Sequence, residues 1–546
     1  MPMPRFRDYY DWVVLGDHPG ALLSASLAAK LGLSALIVPL GPSLARRISD
    51  SGQCFDPESN FLTGLRNLVH SKGLLADCLA RAGITSAEEQ SIRKQGVLPQ
   101  ILTPDARIEL ALDDRTLEFE CERELGKSGA NRFGMAHVLR ESEQEFLKYW
   151  SALPERLTWT SVKSTKASKN ASNFSIKTAD AFDIENLLSR LRKSSVISAD
   201  LKESWFVSGI KASGYMPTAA GNGEFDELCS GLWYGTTGEF AGEPTLSDLL
   251  HALAIARTGA SFKGGMHAYR EFLIRIARRC GVHVAQSECR RIFVERGRFV
   301  GVQVAQYGTM IGAGAGAFGC LLNTAGEQIV VDGRQVSKKL KNSPEPSGWK
   351  FSIALSVHSE AIPPGMSDRM IWQERGAPPL EIEVAAHGDY GIREFETKLI
   401  HLRTVLPFKD ETLNPAYQIM IATRMLRQVL AVVPFIEYHV TRIYPDFRKA
   451  HPSLDSQIDS KRTESAEYQT AVAELKEAYP FSTLADIPMN LRCYSGKGVG
   501  SRSGVEGLFV TSDEAYPQLG SLGGTVSAIE AVAWMAHRSG LAGPLV

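Results

Sequence analysis

The sequence predicts an α/β protein built on a parallel sheet, and three observations carry that expectation. Residues 11–39, DWVVLGDHPGALLSASLAAKLGLSALIVP, read as strand, tight turn, helix and strand. A helix with returning strands follows at 266–304, and a strand, loop and helix close the chain at 507–537. At 546 residues the chain is too long for one core, so a second domain is expected.

The first unit is the most legible. Trp12-Val13-Val14-Leu15 is a continuous apolar run of the kind buried on both faces of a parallel sheet. Gly16 ends it. Ala21, Leu22, Ala25, Leu27, Ala28 and Leu31 recur at helical spacing, with Gly32 as the stop. Ala35-Leu36-Ile37-Val38 supplies the second strand. So short a crossover lays the strands parallel and side by side and aims the helix N-terminus over the turn, where an anion is favoured.

The turn Gly16-Asp17-His18-Pro19-Gly20-Ala21 lies where a dinucleotide fold carries G-x-G-x-x-G/A. Gly16 matches the first glycine and Ala21 the third. His18 replaces the second glycine, which lets backbone approach a pyrophosphate, and Pro39 replaces the ribose-binding acid after the second strand. Arg46-Arg47 in the next loop could reach a phosphate in an NADP-type site, or form a solvated loop face.

Farther on, a helix is expected from Leu62 to Val69. Residues 76–245 change texture, with short strand-like runs and many charges; within them 160–177, rich in Ser and Lys, reads as a surface loop, or as a basic patch for an acidic partner. A helix over 267–280 carries Tyr269, Phe272, Leu273, Ile276 and Ala277 on its apolar side, and short strands follow at 281–284, 289–295 and 300–305. The run Gly312-Ala313-Gly314-Ala315-Gly316 is set aside as a nucleotide loop, with the nearby strand placed after it at 319–323. A long helical pattern from Met420 to Ile443, interrupted at Pro434, could line a pocket, lie on a membrane or pack in a core. Residues 507–511 form a buried strand, and Gly523-Gly524-Thr525 opens the last helix, a second place that favours an anion.

With 22% charged and 44% apolar residues and a formal net charge of −1, the chain has no global attraction to nucleic acid or anionic membrane. Its eight cysteines show neither C-x-x-C nor zinc-ligand spacing and read as reduced structural thiols; no metal site is expected. The opening MPMPRFRDYYDW lacks an apolar leader, and no apolar run suffices for a transmembrane helix, which points to a cytoplasmic protein.

The order of these parts resembles the two-dinucleotide-binding-domain flavoproteins of the phytoene desaturase and amine oxidase kind, a superfamily that includes the Rab GDP-dissociation inhibitors. The first βαβ unit, Lys263-Gly264-Gly265-Met266 with its helix and the strands to Val304, and the closing segment from Val510 to Ala533 carry the likeness. Phe55-Asp56-Pro57 stands where the family has a turn near the flavin. The resemblance implies a Rossmann-like FAD/NAD(P)-binding domain with a parallel sheet (1–75, 246–330 and 486–546) and a discontinuous α+β substrate or partner domain (76–245 and 331–485). It also implies FAD as cofactor. Gly16, His18, Gly20 and Ala21 fall at the phosphate turn, Val284 beside the adenine, and Ser512 and Asp513 on the ribityl side. Gly523, Gly524 and Thr525 then fall at the last helix start.

Two functions follow from the resemblance. One is an FAD-dependent oxidoreductase of desaturase or oxidase type, taking hydride from a hydrophobic or amine-bearing small molecule. No catalytic residue is assigned; Lys263 and His267 are the nearest polar candidates, with a surface lysine and a helix-face histidine as the plain alternatives. The other is a non-catalytic protein that has lost FAD and binds a protein or lipid partner, as the altered turn favours. Peripheral membrane contact is compatible with both.

Overall fold

A computed structural model describes residues 7–40, 58–66, 73–92, 99–109, 223–238, 256–305, 308–319, 347–364, 366–374, 377–385, 397–409, 415–444, 490–493 and 503–541, with a few short pieces between them. In chain order the elements begin with β1 (Tyr9–Leu15), α1 (Pro19–Lys30), β2 (Ala35–Val38), β3 (Phe61–Leu62), α2 (Leu74–Arg81), α3 (Ser86–Ile92), β4 (Gln100–Leu102) and β5 (Arg107–Glu109). Next come α4 (Gly223–Thr237), β6 (Ala260–Ser261), α5 (Gly265–Arg279), β7 (His283–Val284), β8 (Cys289–Glu295), β9 (Arg298–Val304), β10 (Met310–Phe318), β11 (Val330–Val331) and β12 (Arg334–Gln335). The rest are β13 (Gly348–His358), β14 (Arg369–Trp372), β15 (Leu380–Ala385), β16 (Thr397–Pro407), α6 (Pro415–Val432), β17 (Val440–Tyr444), β18 (Asn490–Cys493), β19 (Leu508–Val510) and α7 (Leu522–Arg538).

The first sheet runs β12-β11-β8-β9-β10-β1-β2-β7, with β19 also paired to β10. β1 lies parallel to both β10 and β2, in a register that sets Trp12 beside Ala35 and Leu15 beside Val38. As the continuous apolar runs require, β2 is wholly buried and β1 is buried from Trp12 to Leu15. α1 is buried without interruption from Gly20 to Ala28, because it packs on the sheet and against both α5 and α7. That location explains its polar residues. Ser24 accepts the indole N–H of Trp12 at 3.0 Å inside this layer. Ser24→Ala should leave that donor unpaired and lower stability by about 1–3 kcal/mol, read as a drop in melting temperature.

Three expectations are corrected here. The glycine run at 312–316 is itself a strand, the centre of β10, and not a prelude to one. Its glycines serve packing: a Cβ on Gly314 would stand 2.7 Å from the Tyr9 hydroxyl, and one on Gly316 2.8 Å from the Phe299 ring. The helix expected from Leu62 does not begin there, since Phe61 and Leu62 pair as β3 with β6 and a turn follows. The helical pattern from Met420 ends at Val432, and Val440 to Ile443 belong to a strand, β17. Pro434 breaks the ladder, and Phe435, in the left-handed region at φ 68°, redirects the chain.

The second sheet runs β17-β13-β16-β15-β14-β4-β5, with β18 on β13, and all its pairings except β14 with β4 are antiparallel. α6 covers it. Ile419, Ala422, Met425, Leu426, Val429 and Val433 join Phe351, Ile353, Leu355 and Leu402 in one core, so core packing is the outcome among the three open for this helix. No described helix is long and apolar enough to cross a membrane. Among the described cysteines, Cys78, Cys280 and Cys289 are free thiols, and burial pushes the Cys78 thiol up and out of the reactive range.

Candidate functional site

The site lies at the carboxyl ends of the first sheet, where β1 turns into α1 and where α7 begins. Gly16, at φ 89°, makes the turn after β1 and is held by its N–H on the Val38 carbonyl at 2.9 Å. His18 is the N-cap of α1. Its Nδ1 accepts the Gly20 N–H at 3.2 Å, and its carbonyl accepts the Leu22 N–H at 3.0 Å. An accepting Nδ1 puts the ring proton of a neutral imidazole on Nε2. A first-turn donor that a bound anion would need is therefore already occupied by the chain itself.

Glycines shape the space around the ring. A Cβ on Gly319 would fall 2.2 Å from the His18 Cβ and 2.8 Å from its Cγ. One on Gly524 would stand 3.4 Å from the His18 Cε1 and 3.0 Å from an Asp513 carboxylate oxygen. Gly20 leaves no room on its own account, since a Cβ there would meet the Thr511 carbonyl at 2.3 Å and the Gly524 carbonyl at 2.6 Å. The starts of α1 and α7 thus touch backbone to backbone, and the imidazole fills the opening beside them.

A cavity of about 30 Å³ remains, lined by His18, Gly20, Glu58, Tyr269, Asp513 and Thr525 among others. A water needs roughly 10–15 Å³ by this measure, so it holds about two. Asp513 accepts the Gly524 N–H at 3.2 Å at the start of α7, and burial pushes its carboxyl above the usual range. Glu58 is neutralised by the buried Arg270 at 2.6 Å. Burial also pushes the Tyr269 phenol up, so it stays protonated. Ser512, next to Asp513, is buried, and its hydroxyl has no hydrogen-bond partner among the described residues.

The residues singled out from the sequence are only partly brought together. His18, Gly20, Asp513 and Thr525 line one cavity, and Gly524 backs it. Ala21 is buried inside α1, and Gly523 packs on the loop before α7, where a Cβ would stand 2.6 Å from the Tyr516 carbonyl. Val284 sits in β7 beside Ile37 and does not line this cavity. Lys263 is exposed, and His267 faces Glu271 on its own helix at 3.4 Å, as the plain alternatives for both have it. Arg46, Arg47, Phe55 to Pro57 and residues 160–177 lie outside the described residues. Glu58, Tyr269 and Arg270 join the site without a sequence motif that marks them. The only sequence signal for Glu58 was its place directly after Phe55-Asp56-Pro57.

A second polar cluster ties the second sheet to α4 and to the segment at 59–61. Arg369 donates from Nε to Glu381 at 2.9 Å and from Nη2 to the Gly235 carbonyl at 2.6 Å, and its guanidinium lies 4.4 Å over the Phe61 ring. Arg403 donates to Glu383 at 2.6 Å, and Ser59, one residue from the cavity-lining Glu58, donates to Glu381 at 2.6 Å. Burial alone would raise the Glu381 pKa, but Arg369 and Arg403 outweigh it and hold the carboxyl down at about 2.

No family model matches the chain, and no curated protein is significantly similar to it. Solved structures do match in fold. An oxidoreductase from Methanosarcina mazei is similar over 95% of this chain and 98% of its own, with a TM-score of 0.51 and 13% identity. A Rab GDI from Plasmodium falciparum covers 76% of this chain and 86% of its own at TM-score 0.44 and 9% identity. A putrescine oxidase triple mutant covers 98% of both chains at 0.44 and 12%. The α/β class therefore holds, and the chain shares its overall fold with the Methanosarcina oxidoreductase.

Against that fold, the seat as built does not fit a dinucleotide diphosphate. His18 holds the Gly20 donor of the first turn, and its ring stands against Gly319 and Gly524, where a glycine at position 18 would leave the backbone open to a phosphate. The features that would suit such a ligand are the unpartnered Ser512 hydroxyl and the Asp513 carboxyl at the α7 start.

Proposed function

We propose that the chain is a non-catalytic protein on the flavoprotein fold, in which its own side chain has taken over the dinucleotide seat, and that it acts by binding a protein or lipid-like partner. The observation that carries this reading is the half-buried His18 ring, hydrogen-bonded to the first turn of α1 and set against Gly319 and Gly524. Pro39 at the place of the ribose-binding acid supports it, because the charge-assisted hydrogen bond such an acid makes, about 1.5–3 kcal/mol, has no source there.

A second reading, an FAD-dependent oxidoreductase for a hydrophobic or amine-bearing small molecule, draws on one specific observation. Ser512 and Asp513 leave a buried hydroxyl unpartnered and a carboxyl raised by burial, both of which a hydroxyl-bearing ligand would relieve. The visible absorbance of the purified chain, before and after incubation with FAD and desalting, separates the two. Colourless protein that holds no added flavin is expected; retained stoichiometric flavin would overturn the non-catalytic reading.

A further inference from the structure

The two most exposed large apolar side chains among the described residues stand together just after α6. Val433 and Ile436 are buried in the core of the second sheet and anchor the turn. Phe435, between them, is 69% exposed, and Tyr438 is 79% exposed. Phe435 also takes the left-handed conformation, φ 68° and ψ 9°, which glycine adopts at far less cost. The turn is held firmly. The Ile436 N–H donates to the Val433 carbonyl at 3.3 Å, that of Tyr438 to Phe435 at 3.2 Å and that of His439 to Ile436 at 2.9 Å. A strained phenylalanine that stands mostly in solvent gains little from packing, so its use is sought outside the chain.

The outward side of α6 continues this surface. The inner side of the helix is committed to the core, and the positions left outward, Met420, Arg424, Arg427 and Ala431, recur every third or fourth residue and lead into the two aromatics. The helix carries two arginines and no acid in its 18 residues. Two carboxylates lie near the turn. Glu360 faces His439 at 3.4 Å, and Glu437 is half-buried with one carboxylate oxygen enclosed.

We propose that this stripe docks the chain on an anionic lipid bilayer, with Phe435 and Tyr438 seated among the headgroups and Arg424 and Arg427 turned to lipid phosphates. Charge selects this occupant, because the helix offers cations and no acid. Aromatic rings at headgroup level, and arginines whose stems lie along apolar surface with the charge in the wet layer, are how a helix lies on a bilayer without spanning it. The proposal rests on the non-catalytic reading only for its role, as the lipid partner of that reading. The stripe itself belongs to the second sheet and not to the His18 seat.

The test is co-sedimentation of the full chain with vesicles of phosphatidylcholine alone and of phosphatidylcholine mixed with phosphatidylserine. Wild type is compared with Phe435→Gly, with Tyr438→Ser and with Arg424→Gln combined with Arg427→Gln. Glycine suits the backbone at position 435, so Phe435→Gly should melt no lower than wild type while binding the mixed vesicles about tenfold more weakly or worse. Tyr438→Ser gives the same reading at an exposed position without touching the left-handed residue. Wild type should prefer the mixed vesicles, and that preference should shrink in the arginine variant and at raised salt. Wild type that binds neither vesicle, or that binds both equally, would overturn the proposal, as would folded aromatic variants that bind like wild type. Self-association without vesicles that Phe435→Gly abolishes would assign the surface to a second copy of the chain and also overturn it. Vesicle-bound protein that retains added flavin would overturn the non-catalytic reading and leave the docking surface standing.

Discussion

Gly20→Ala is expected to destabilise the protein although it improves the helix that carries it. Position 20 is inside the first turn of α1, where alanine in place of glycine gains about 0.5–1 kcal/mol from backbone entropy. The added methyl, however, would sit 2.3 Å from the Thr511 carbonyl and 2.6 Å from that of Gly524. Both obstacles are backbone, so neither moves by a change of rotamer. Overpacking of this kind costs about 1–3 kcal/mol and more where backbone must shift, so the net effect is a loss on the order of 2 kcal/mol. The relaxation that costs least separates α1 from α7. Thermal melting should show a drop of several degrees, and hydrogen exchange should quicken at the starts of both helices before it does in the second sheet. A variant as stable as wild type would mean that the two helix starts do not touch.

That contact shows where sequence reading works here and where it stops. The unit from β1 to β2 was legible because each of its signals is local: an unbroken apolar run, a glycine at each turn, a helical period between. β10 was missed for the opposite reason. Its Gly-Ala alternation carries no β-branched or aromatic residue, and it is a strand because Tyr9, Phe299 and Met535 from distant parts of the chain press against its glycines. Residues 440–443 continue the apolar spacing of α6 closely enough to look helical, and only pairing with β13 makes them a strand. At the site the sequence located the anomaly, His18 in a glycine's place. The direction of its ring was not readable, because the walls that receive it, Gly319 and Gly524, become neighbours only in the fold. Glu58 and Tyr269 had no motif, and their roles come from the elements that bring them to one cavity.

Acid should weaken the protein through Glu381, and the sign follows from its depressed pKa. A carboxyl held at about 2 in the folded chain and near 4.5 when unfolded stabilises the fold fully above the unfolded value, and that contribution disappears as pH falls from about 4.5 to about 2. The difference corresponds to about 3 kcal/mol. Glu381→Gln removes the charge while keeping the shape, and leaves Arg369 buried with its Nε no longer facing a carboxylate. Breaking one partner of a buried pair costs about 3–5 kcal/mol, so the variant should melt well below wild type at neutral pH. Between pH 5 and 2.5 its stability should fall less steeply than that of wild type, by up to about 2 kcal/mol over the window. Denaturant unfolding at several pH values reads both effects, and equal acid dependence in the two proteins would exclude Glu381 as their source. The consequence reaches the seat itself. Ser59 ties Glu381 to the segment that carries Glu58, so loss of the cluster loosens the second sheet and one wall of the His18 cavity together. Hydrogen exchange at residues 58–62 in Glu381→Gln should therefore rise along with that of β14 and β15, while β1 and β2 stay protected.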